Sequence, residues 1–175
     1  STLIILLFVN YNMAEKDSVY KGKIKQSGIF NFKDFYEFLY VTIVDFGYDL
    51  HEARYLEKTK GDSKEVEIGW VATSDLSNYF GIEIKIDWII LGMKKVQVKK
   101  NGQEVSMDSG TLEVTFSASL MKDVNGEWEN MFFKRLREIY DKYIIKERIK
   151  GYEDSVFENI GACIEQAKSF LTLEG

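Results

Sequence analysis

The sequence predicts an α+β fold: a curved antiparallel sheet of about six to seven strands wrapped on a long C-terminal helix, with an extra helix after it. Three observations carry the prediction. Between residues 54 and 120 large apolar residues recur at every second position, the period of a half-buried strand. Between residues 127 and 145 the period changes to three and four, the spacing of one helix face. The joints hold Gly, Asn and Asp, and the chain has no proline, so its turns rest on residues that tolerate tight backbone geometry.

Composition bounds the answer further. At 175 residues, 45% apolar and 29% charged, this is globular rather than disordered sequence, of a length that fits one domain with an appendage. The net charge of −5 argues against general nucleic-acid binding. Cys163 is the single cysteine, which rules out an internal disulfide and a cysteine-rich zinc site and suits a reducing, cytoplasmic compartment.

Residues 3–9, LIILLFV, form an apolar run far short of the roughly 20 residues of a membrane helix. Met13, Ala14, Glu15 and Lys16 read as a translation start, which would make 1–12 an upstream extension. The other reading is a β-strand that pairs with a sheet edge through Leu3, Ile5 and Leu7. Residues 19–29 alternate, with Lys21, Lys23 and Lys25 on the solvated side of an edge strand. Asn31 is a helix N-cap with Asp34 in the first turn, and Phe30 and Phe35 occupy hydrophobic-staple positions. Phe32, Phe35, Tyr36, Leu39, Ile43 and Phe46 give that helix a wide apolar face, and Gly47 stops it.

Strands are expected at 54–60, 65–73 and 80–90. The last alternates most clearly, with Ile84, Ile86 and Trp88 among its six apolar residues. Gly92 is expected to break it. Residues 94–100 and 103–107 flank Asn101 and Gly102, the strongest short hairpin signal. Asp108, Ser109 and Gly110 turn again, and residues 112–120 form the last strand. Helix 127–145 then carries Trp128, Phe132, Leu136, Ile139, Tyr140 and Tyr143 on one face. Such a stripe needs a broad, curved surface to cover it. Beyond Gly151 a second amphipathic stretch places Val156, Cys163 and Phe170 at intervals of seven.

This order of strand, helix, antiparallel strands and long helix resembles the helix-grip fold of the START and Bet v 1-like (SRPBCC) superfamily, over roughly residues 18–146. The resemblance lies in element order, not in a motif. It implies a sheet curled around a helix, often with an apolar cavity between them. The chain is also similar to short archaeal proteins with a GYD–E–Y–EK segment, here Gly47, Tyr48, Asp49, Glu52, Tyr55, Glu57 and Lys58. That similarity implies no activity.

Few residues suggest chemistry. His51 is the single histidine and has carboxylates beside it, as a general base would. Its place between a helix end and a strand suits a surface or capping role, and Cys163 on an apolar stripe suits a core thiol rather than a partner for it. Asp123, Asn125, Gly126 and Glu127 resemble part of a calcium loop but serve as turn and cap, and no phosphate loop, histidine metal spacing or nucleophile elbow is present. Residues 134–150 are locally basic, as a solvated helix face is.

The expected layout is an apolar extension at 1–12, a helix-grip-like domain at 13–146 and a helical appendage at 147–175. The leading functional expectation is a non-enzymatic binding module for an apolar small molecule or lipid, without a cofactor. Its cavity would be lined by Trp70, Ile84, Ile86, Trp88, Phe116, Phe132, Leu136 and Tyr140. The alternative is an assembly protein that self-associates or docks a partner through Leu3, Ile5, Leu7, Val156, Cys163 and Phe170. An enzyme is the third reading, for want of a catalytic constellation.

Overall fold

The computed structural model describes residues 15–122, 135, 136, 138, 139, 142 and 146–174. Their elements are β1 (Glu15–Phe30), α1 (Phe32–Asp45), β2 (Asp49–Lys60), β3 (Ser63–Asp75), β4 (Phe80–Lys100), β5 (Gln103–Lys122) and α2 (Lys146–Glu174). The strands form one antiparallel sheet in the order β1-β5-β4-β3-β2. Strands β2 to β5 meander, and the last of them returns to pair with the first.

The sheet has five strands where the sequence predicts six to seven, because two expected breaks are bends instead. Gly92 takes a φ of +63°, and the β4–β5 register steps from Leu91 opposite Thr111 to Lys94 opposite Ser109. Two residues of β4 thus face one of β5, a bulge that strengthens twist without ending the strand. The residue facing the bulge is Gly110, and Gly28 of β1 pairs with it in turn. A Cβ on Gly110 would lie 2.8 Å from the carbonyl oxygen of Leu91, so the strands approach this closely only because none is there. The expected turn at Asp108–Gly110 is accordingly continuous strand.

Asp108 does other work. It is buried, its Oδ2 accepts from the backbone N–H of Phe32 at 3.0 Å, and its Oδ1 meets Lys95 Nζ at 2.8 Å. A carboxylate at the N-terminus of α1 satisfies an orphan donor and suits the helix dipole. Asn31 caps the same helix, its Oδ1 accepting from the Asp34 N–H at 3.1 Å.

Alternation sorts the sheet into two faces. The inner face holds Ile24, Val66, Ile68, Trp70, Ala72, Ile82, Ile84, Ile86, Trp88, Ile90, Leu112, Val114, Phe116, Ala118 and Leu120, all buried in one core. Helix α1 adds Phe35, Leu39 and Ile43. Helix α2 runs through Gly151 without interruption and adds Val156, Ile160, Cys163, Ile164, Ala167 and Leu171. The helix expected as an appendage therefore belongs to the core. Its stripe lies along β1, with Phe157 edge-on to Tyr20 at 5.2 Å, and Phe170 stacks on Phe38 of α1 at 4.4 Å.

Most of the expected helix at 127–145 lies outside the described residues. Leu136 and Ile139 within it are helical and exposed. No helix among the described residues is long and apolar enough to cross a membrane.

Candidate functional site at the open margin of the sheet

The inner face is buried across the three central strands and opens at β2. There Leu50 is buried, and every residue from His51 to the end of the strand is exposed. A bulge decides what the opening presents. The β2–β3 register shifts between Glu52 and Arg54, so that Glu52 lies opposite Trp70, Tyr55 opposite Ile68 and Glu57 opposite Val66. All three partners face the core, so Glu52, Tyr55 and Glu57 share the inner face although their spacing is not a multiple of two. His51 and Arg54 fall on the outward face, opposite Val71 and Gly69.

Helix α1 supplies the other wall. The Tyr36 hydroxyl donates to Glu52 Oε2, and Trp70 Nε1 donates to the same oxygen at 3.1 Å. The rings pack edge to face: Tyr36 lies 4.9 Å from Trp70, Tyr40 6.0 Å from Trp70, and Trp70 4.9 Å from Trp88. Such edge-to-face pairs add about 0.5–1.5 kcal/mol each beyond burial. Trp88 Nε1 is buried with no hydrogen-bond partner among the described residues. One strand step further, the Tyr55 hydroxyl donates to Glu57 Oε1 at 2.8 Å, and Lys64 Nζ reaches Glu57 Oε2 at 3.4 Å.

These contacts set the protonation states. Burial first, then the hydrogen bond and charge of Glu52, push the Tyr36 phenol up to about 12. Burial and Glu57 do the same to Tyr55, also to about 12. Glu57 is held below the usual carboxylate range, first by the Tyr55 hydroxyl and then by Lys64. The margin thus presents neutral phenols beside the Glu57 carboxylate at physiological pH.

Trp70, Ile84, Ile86, Trp88 and Phe116, expected to line a cavity, are brought together on the inner face, with Trp70 and Trp88 buried behind the margin. Phe116, with Ile43, Phe46, Tyr48, Asn159, Ile160 and Cys163, borders a void of about 10 Å³, space for a single water. Leu136 is 41% exposed, and Phe132 and Tyr140 lie outside the described residues. Of the expected assembly surface, Val156 and Cys163 are buried against the chain's own sheet, because their stripe covers β1. Phe170 is half-buried on Phe38, and Leu3, Ile5 and Leu7 lie outside the described residues. Burial pushes the Cys163 thiol up to about 12, and His51 lies on the opposite face of the sheet, so the two do not form a pair.

Sequence reasoning missed Glu52, Tyr55, Tyr36 and Tyr40 as site residues. The available signal was the GYD–E–Y–EK segment, whose Glu52, Tyr55 and Glu57 the bulge gathers on one side. The outward face of the described strands bears no Phe, Tyr or Trp, and so lacks the platform on which single-stranded nucleic acids stack. Comparison of the chain with protein-family models, with curated proteins and with solved structures found no match.

Proposed function

We propose that the chain is a non-enzymatic binding module of helix-grip type, which takes an apolar small molecule or lipid between sheet and helix and admits it at the β2 margin. The observation that carries this reading is the opening itself: an inner face buried on the central strands and uncovered on β2, where aromatic rings lead from the surface to the core. A sheet whose first strand pairs with its last supports the helix-grip part. A cytoplasmic setting belongs to the same reading, since the single thiol is buried and unpaired.

Native mass spectrometry of protein purified gently from its own cells tests the reading. The expected result is a monomer carrying an added small-molecule mass. A ligand-free protein whose thermal unfolding also ignores added fatty alcohols would overturn it.

A second reading, assembly or partner docking, draws on a different observation. Among the described residues strand β2 pairs with β3 alone, and its other edge suits an added strand. It predicts an oligomer or a stable complex in the same spectrum.

A further inference from the structure

We propose that the β2 margin recognises an organic ammonium group on its ligand, with Glu52 as the counter-charge and Tyr36 and Tyr40 as the adjoining ring surface. The inference rests on the binding-module reading and adds head-group chemistry to it.

Glu52 differs from most strand glutamates. Glu57, Glu65, Glu67, Glu83 and Glu113 each have a lysine or arginine nitrogen within 4.0 Å. Glu52 has no such cation among the described residues and is held instead by two neutral donors, the Tyr36 hydroxyl and the Trp70 indole. These donors orient the carboxylate without cancelling its charge. An exposed carboxylate held in place by neutral donors keeps its charge available to a cation.

The rings argue the same way. A cation is attracted to an aromatic face within about 6 Å of the ring centroid. Tyr36 and Tyr40 both pack edge-on to Trp70, and Tyr40 is 41% exposed, so ring surface adjoins the carboxylate at the solvent side. Among the described residues no lysine or arginine nitrogen lies within 4.0 Å of Glu52 to compete with such a group.

Geometry selects ammonium over guanidinium. Both donors converge on Oε2, which leaves Oε1 as the remaining acceptor. One free oxygen matches a compact ammonium, whereas a guanidinium fork gains most from two. The ligand is then an amphipathic amine: a cationic head on Glu52 and an apolar body against the exposed ring of Tyr40.

Isothermal titration with three probes of equal chain length tests this: octylammonium, 1-octanol and octanoate. Octylammonium should bind about tenfold more tightly than octanol, with octanoate the weakest. Glu52→Gln keeps an acceptor for both donors, so it should erase the preference for octylammonium over octanol. Tyr40→Leu, at an exposed position, provides a second variant and should weaken octylammonium severalfold more than octanol. Equal binding of octanol and octylammonium, unaffected by either variant, would overturn the inference and leave the binding-module reading intact. Binding of none of the three would overturn both.

Discussion

Glu52 gathers two donors onto one oxygen, and the consequence reaches the phenols around it. Tyr36 keeps its proton up to about pH 12, against an ordinary value of 10.0. A group that holds its proton more tightly when folded contributes stability that is whole below the unfolded value and is lost as pH rises through the folded one. Stability attributable to Tyr36 is therefore constant below pH 10 and declines above it. Denaturant unfolding of wild type and Tyr36→Phe, measured on both sides of that pH, should show a difference that narrows in alkaline solution. A difference that stays constant or widens there would refute the assigned environment. Nothing in the local sequence announces this network: Tyr36 and Glu52 are 16 positions apart, and only α1 lying over β2 brings them together.

At the scale of elements, the bends matter more than the ends. Gly92 and the Asp108–Gly110 segment read as breaks because glycine usually punctuates a strand. The same residues are what allow β4 and β5 to remain continuous through a bulge. Gly28, Gly92 and Gly110 are far apart in sequence, and register alone brings them to one place in the sheet. Gly110→Ala should thus be costly, since its Cβ would meet backbone, the Leu91 oxygen at 2.8 Å and Met93 at 3.3 Å, which cannot rotate away. We expect a loss of about 1–3 kcal/mol, as for other overpacked sites, read as a lower urea midpoint at unchanged slope. A midpoint equal to wild type would mean that the strands are not so close. The Asn101–Gly102 hairpin and the Asn31 cap were legible in sequence because both are local signals.

For the molecule as a whole, periodicity found the layers but not their assignment. The inner-face residues of β3, β4 and β5 follow directly from alternation, and Trp70, Ile84, Ile86, Trp88 and Phe116 are all on the covered side. The role of α2 did not follow. A heptad-spaced stripe ending in Val156, Cys163 and Phe170 looks the same whether it meets another chain or the same chain's β1, and sequence spacing carries no information about which. The open margin was hidden for a third reason, since a bulge at Ala53 reverses the parity of β2. The central claim is that ligand enters at this margin, and the indole N–H resonances of Trp70 and Trp88 report on it most directly. In a titration with octanol followed by proton–nitrogen correlation spectra, the Trp70 indole and the amides of Glu52 and Tyr55 should move together and saturate. Saturable shifts confined to α2 or to the outward face, with the Trp70 indole unmoved, would contradict the account.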